Sequence, residues 1–162
     1  MRQSLFYHNI YKSLFDDTSM IVGFHLTKMS VERHQPITGK LSVRNDLNIR
    51  DVQERPVSTV KGSHKMVAFQ FVFSVTYSPH IADVTIVGDV LYSAEPKKIE
   101  DILSQWKTKK KVAADISVDV LNFVLQKCNI HALEMAQELN LPTHIPMPKV
   151  NFQKKTADAY IG

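Results

Sequence analysis

The sequence is short of the residues that usually announce a chemistry. Among 162 residues there is one cysteine, Cys128. That excludes an intramolecular disulfide framework and a four-cysteine zinc site. The five glycines, Gly23, Gly39, Gly62, Gly88 and Gly162, stand far apart. Neither a dinucleotide-binding turn nor a P-loop can be assembled from them, and no G-x-S-x-G elbow occurs. The seven histidines are scattered singly, with no His-x-x-x-His pair to bring two ligands onto one helix face. No apolar run approaches the ~20 residues a membrane helix needs, so membrane insertion is not expected. Tyr7, His8, Asn9, Tyr11, Lys12 and Ser13 interrupt the N-terminal region before the apolar core of a secretion signal forms. A cytoplasmic protein is the expectation.

What remains is a folding composition, 44% hydrophobic and 22% charged with a net charge of +4. A chain of this length fits one domain that buries ~68–70% of its unfolded surface. The densest positive cluster is Lys107, Lys109, Lys110 and Lys111, with Lys97 and Lys98 upstream. It holds no arginine and borders one aromatic, Trp106. Lysines near a helix C-terminus complement the helix dipole, which accounts for them without a nucleic-acid partner.

Hydrophobic periodicity divides the chain into strands first and helices after. Over 41–49, Leu41, Val43, Leu47 and Ile49 share one face with Asn45, while Ser42, Arg44, Asp46 and Asn48 take the other. That period of two marks a half-buried strand. In 66–77, Val67, Phe69, Phe71, Phe73, Val75 and Tyr77 lie together. After a turn at Pro79-His80, residues 81–92 alternate again, with Val84, Ile86, Val90 and Tyr92 on one side. Residues 19–33 read as the first strand, whose phase shift after Leu26 predicts a bulge or strong twist. Connections this short leave no room for crossover helices, so the sheet is expected to be antiparallel. The polar stretch Pro56 to Lys65 reads as a mobile connection.

Beyond Pro96 the period changes. Ile99, Ile102, Leu103 and Trp106 recur at i, i+3, i+4 and i+7, predicting a short amphipathic helix. A longer helix is predicted over 116–139, with Val120, Leu121, Val124, Leu125, Cys128, Ala132, Met135, Ala136 and Leu139 as its apolar stripe. Asp115 and Ser117 are its candidate N-caps and Asn140 caps its end before Pro142. The next stretch, Leu141 to Val150, holds three prolines among Leu141, Ile145, Met147 and Val150. A rigid, extended, apolar segment must lie on something, either as a structural strap or in binding. Residues 1–17 form a separate amphipathic segment, with Phe6, Ile10 and Leu14 at i+4 spacing, suited to packing on this chain or on another copy. The remaining domain is expected over 18–162.

Candidate chemistry is sparse. Cys128 sits in a stripe with Val124, Leu125 and Ala132 and reads as a buried hydrophobe. Asp83 and Asp89 are six residues apart in a strand, ~20 Å by the strand rise and too far to share a proton. Catalysis would require His25, Asp83 and Asp89 to converge. No enzyme, metal or cofactor is expected.

The order of four strands, a short helix, a long helix and a proline-rich tail ending Pro148-Lys149-Val150-Asn151-Phe152 resembles the SecB family of export chaperones. In that family the long helix is followed by an apolar extended stretch ending in a Pro-Val-Asn-Phe-like sequence; here Lys149 is inserted. The resemblance implies an α+β subunit, with a four-stranded antiparallel sheet packed by a short and a long C-terminal helix. It further implies a homo-oligomer (dimer or tetramer) that holds unfolded or extended polypeptide in an apolar groove without ATP. Carried over, Ile145, Met147 and Phe152 fall near that groove. To these the pattern adds Phe69, Phe71, Phe73 and Trp106, although core packing is the better account of the three phenylalanines. The family's export chaperone is acidic and this chain is basic, which argues against the same translocation partner. The alternative function is a non-catalytic oligomeric scaffold or adaptor of the same fold.

Overall fold

Alternation of side chains at the predicted period pairs the strands into one sheet. In the computed structural model, which describes residues 19–59 and 62–150, β1 spans Met20–Arg33, β2 Ser42–Thr59, β3 Gly62–Ser78 and β4 Ala82–Ser93. Two helices follow, α1 at Pro96–Lys109 and α2 at Ala114–Glu138. The strand order is β1-β4-β3-β2 and every neighbouring pair is antiparallel. Consecutive strands β2, β3 and β4 form hairpins while β1 lies beside β4, a Greek-key order. The α+β architecture matches the expectation. The amphipathic segment expected at 1–17 lies outside the described residues.

One face of the sheet is the core. Val67, Phe69, Phe71, Phe73, Val75 and Tyr77 of β3 are all at most 1% exposed. From the other layer, α2 lowers Ile116, Val120, Val124, Cys128, Ala132 and Ala136 onto them, each buried. These six fall every four residues, so they form a single i±4 ridge of the helix. Small residues toward its C-terminal end, Cys128, Ala132 and Ala136, bring the helix close to the aromatic strand. The second helix, α1, packs over β2 and β3 through Ile99 and Ile102. Gly88 is needed where β1 crosses β4, because a Cβ there would strike the His25 carbonyl oxygen and the Phe71 ring.

Bulges tune the edges. In β1 the register shifts between Ile21 and Gly23 and again between Leu26 and Lys28, the second where the phase change predicts it. In β2 it shifts between Ile49 and Asp51, leaving Arg50 as the extra residue. That bulge lets both Ile49 and Val52 face the core opposite Phe71 and Phe69, which strict alternation would forbid.

Two sequence expectations need correction. Pro56 to Lys65 is not a mobile connection: β2 and β3 stay paired through Pro56↔Lys65 and out to Thr59↔Gly62. Beyond Val67↔Tyr92 no third strand among the described residues pairs with them, and they leave the sheet as a two-stranded ribbon. A ribbon with little apolar face to bury shows little alternation, and its proline is tolerated on an edge strand. The N-cap of α2 is neither Asp115 nor Ser117 but Ala113, which makes no side-chain cap hydrogen bond. At the other end Asn140 performs as expected. It takes the left-handed conformation (φ 52°) while its N–H donates to Gln137 and that of Leu141 to Ala136. These bonds complete a Schellman motif.

Candidate functional site

Each end of α2 meets a neighbouring element across an apolar cleft. At the N-terminal end the cleft holds about 340 Å³. Its apolar wall comes from Ile49 on β2, Phe69 on β3, Trp106 on α1, Val112 in the connection and Val120 on α2. Two strands and the long helix therefore converge on one indole of α1. The ring is mounted rather than loose, since Trp106 Nε1–H donates to Asp51 Oδ1 at 3.0 Å. Asp51 also accepts from Gln53 Nε2 at 2.7 Å and from the Val52 amide at 2.9 Å. The hydrogen bonds from Gln53, Trp106 and Val52 hold its carboxyl below the usual carboxylate value. Over the ring sits Lys110, its Nζ 5.3 Å from the centroid, within cation–π range. Lys110 closes α1 in the left-handed conformation, φ 51°, with its N–H donated to the Trp106 carbonyl. Lys111 lines the mouth beside it.

The C-terminal end carries a larger cleft of about 740 Å³, between the outer side of α2 and the proline-rich segment. Ile130 and Leu133 face Leu141, Pro142 and Met147 there, with Glu134 and Gln137 at its margin. The first half of the segment is fastened down. Leu141 is buried, Tyr77 Oη donates to the Pro142 carbonyl at 2.8 Å, and Asn45 Nδ2 donates to the His144 carbonyl at 3.3 Å. Asn45, the one polar residue on the apolar face of its strand, thus serves the strap. His144 is buried against Phe73, with Nε2 3.0 Å from Asn129 Oδ1. Beyond Ile145 the segment is exposed, and Met147 is half-exposed.

These positions sort the residues singled out from the sequence. Phe69 and Trp106 meet in the N-terminal cleft, and Met147 lines the C-terminal one. Ile145 is half-buried in the strap and lines neither cleft. Phe152 lies outside the described residues. Phe71 and Phe73 are corrected from groove to core. Both are completely buried, Phe71 stacked on Phe24 at 5.5 Å and Phe73 edge-on to His144. Period two put the three phenylalanines on one face; only the path of α2 separates Phe69, at its margin, from the other two beneath it. Ile49, Val112 and Val120 were not singled out for the site, because each also reads as an ordinary core position.

The trio His25, Asp83 and Asp89 does not converge. His25 is the cross-strand partner of Asp89, whereas Asp83 lies at the far end of the strand and meets His34 at 3.0 Å. Asp89 pairs instead with Arg55 at 3.1 Å. Burial pushes the Cys128 thiol up to about 12, which leaves it protonated at neutral pH. Among the described residues no three His, Cys, Asp or Glu gather as metal ligands, and no helix is long and apolar enough to cross a membrane.

No protein-family model matches the chain, and no curated protein matches it by sequence. Among solved structures it is similar to the Mycobacterium tuberculosis Rv1957 SecB-like chaperone in complex with a ChAD peptide from the Rv1956 HigA1 antitoxin. The match has a TM-score of 0.54 at 10% sequence identity and covers 83% of this chain and 92% of that one. At that identity the likeness is one of fold, and the fold is SecB-like.

Proposed function

We propose, with a SecB-like fold as the premise, that this protein is an ATP-independent holdase that presents an apolar groove to unfolded or extended polypeptide in the cytoplasm. The observation that carries this reading is the open cleft in which Trp106 stands over buried Phe69. A cleft of about 340 Å³ takes apolar side chains from a client chain rather than a whole folded surface. Each Å² of apolar client surface removed from water contributes ~25 cal/mol. The cleft also borders β2, which among the described residues is an edge strand, and the backbone groups of an edge suit an extended client. The fold neighbour is itself described as a chaperone in complex with a peptide. Met147 and Ile145 belong to the same proposal as a second contact zone on the strap, and Phe152 is proposed with them from the sequence resemblance alone.

Self-association belongs to the proposal as well. The edge strand β1 exposes Met20, Val22 and Met29, and α2 exposes Val118 and Ile130 away from the sheet. An edge strand and an apolar outer helix face together favour a homo-oligomer. They equally favour the second reading, a scaffold in which those faces are consumed by assembly and no client is bound.

One experiment separates the readings: light scattering from an unfolding reporter protein, without nucleotide, at rising ratios of this protein. The holdase suppresses scattering near stoichiometric oligomer, and a Trp106→Ala variant loses that suppression. Undiminished aggregation across the range rejects the holdase and leaves the scaffold.

A further inference from the structure

The rim of the Trp106 cleft is more strongly charged than its dipole role requires. Residues 106–114 contain four lysines and no acidic residue. Lys107 and Lys109 occupy the last turn of α1, where the C-terminal dipole favours them. Lys110 and Lys111 lie beyond the helix, so the dipole accounts less well for their place at the cleft mouth. All four are exposed, and among the described residues none has a carboxylate within ion-pair distance. The nearby acid, Asp51, accepts from Trp106, Gln53 and Val52 and attracts Lys110 through space, without a contact at ion-pair distance. Asp115, the next acidic residue along the chain, lines a different cleft with Met20 and Asp119. The adjacent bulge residue on β2 is Arg50, another cation. The mouth of the apolar cavity is thus lined by Lys110 and Lys111, of which Lys110 feels the Asp51 carboxylate through space and neither makes an ion pair among the described residues.

We infer that the Trp106 cleft selects extended apolar segments flanked by acidic residues. The inference rests on the polypeptide-binding reading above and adds to it the chemical class of the client. An aromatic or aliphatic side chain of the client enters against Trp106 and Phe69, while its neighbouring Asp or Glu meets Lys110 or Lys111. Basic flanks on the same core meet like charge, and complementary potential decides between partners of equal apolar area. Because the lysines are exposed, the preference is screened by salt, with a Debye length of about 8 Å at physiological ionic strength.

The test uses the full chain and two dye-labelled peptides that share one tryptophan-free apolar core, one flanked by glutamates and one by lysines. Anisotropy gives the affinities. Trp106 is the only tryptophan, so its emission reports whether the cleft is the place occupied. At low ionic strength the acidic-flanked peptide is expected to bind about tenfold tighter and shift Trp106 emission, with the gap closing as salt is raised. Lys110→Glu/Lys111→Glu reverses the order of the two peptides, and the milder Lys110→Gln/Lys111→Gln brings them level. Should the basic-flanked peptide bind equally well or better, the inference falls while polypeptide binding stands. An acidic preference that leaves Trp106 emission unmoved and survives the lysine substitutions also overturns it. Binding of neither peptide removes the inference and the holdase reading together.

Discussion

The two ends of α2 solve the same packing problem in opposite ways. Both must bring the helix past an apolar element that the sheet does not fully cover. At the C-terminal end the chain turns through a Schellman motif and ties itself down, with Tyr77, Asn45 and Asn129 all gripping the strap between Pro142 and His144. At the N-terminal end the capping residue is Ala113, which makes no side-chain bond, and the neighbouring helix ends on exposed lysines. There the fastening lies on the neighbouring helix, at a single indole held by Asp51. One end spends its polar groups on closing the fold. The other leaves four exposed lysines without an ion pair among the described residues beside an open cavity, the arrangement that favours binding there over the larger C-terminal cleft.

The largest effect should come from the core that joins the ends. Phe71 is fully buried and stacks on Phe24, so Phe71→Ala should cost about 3–5 kcal/mol, read as a lowered denaturant midpoint. If the ends are one cooperative unit, Trp106 emission and far-UV circular dichroism move together. Separate transitions would break the comparison by making the N-terminal cleft an independent region. Next comes Leu141→Ala, which should cost about 2 kcal/mol or more by releasing the strap from under α2. Peptide affinity at Trp106 should be unaffected by it, within a factor of about two. A loss of affinity as large as that from a Trp106 substitution would show that the two ends form one site.

How far the sequence foretells this division depends on what each residue faces. Period two places Phe69, Phe71 and Phe73 together, and 3.6 periodicity produces the Val120–Ala136 ridge, because both patterns are imposed by burial. The ribbon beyond Val67 hides because, among the described residues, no third strand pairs with it and few of its side chains are buried. Which phenylalanine reaches the cleft is also hidden, since it is set by where α2 crosses the sheet, a property of packing between distant segments. Asn45 was visible as a polar residue in an apolar row, but it is exposed there and only the structure identifies the His144 carbonyl as its acceptor.

A smaller effect tests the mount of the indole. Asp51→Ala removes the acceptor of the Trp106 N–H and should cost about 1 kcal/mol in stability. Because it frees the ring, it should weaken peptide binding by several-fold while leaving the C-terminal strap protected from hydrogen exchange. The carboxyl is held below its ordinary value, so its contribution is present above about pH 4 and lost as pH falls through the depressed folded value. Unchanged affinity in the variant would mean that the cleft does not need a fixed ring.

The smallest effect discriminates the ends by proton rather than by substitution. Burial holds His144 below the ordinary histidine value of 6.5. With Asn129 Oδ1 accepting from Nε2–H, its Nδ1 is a buried atom without a hydrogen-bond partner among the described residues. Protonation would place a donor there facing no acceptor, which disfavours the cation. The unfolded chain therefore takes up this proton more readily than the folded one. Stability from neutral His144 is complete above about pH 6.5 and declines as pH falls through the lowered folded value. Other histidines titrate in the same range, so the informative quantity is the difference between the wild type and His144→Phe. The variant should have a flatter stability curve between about pH 7 and about pH 5, and in the wild type amide exchange at Leu141 and Ile145 should quicken over that interval before it does around Trp106. Equal slopes in the two proteins would contradict a neutral, buried His144 and remove the proton sensitivity that sets the fastened end apart from the open one.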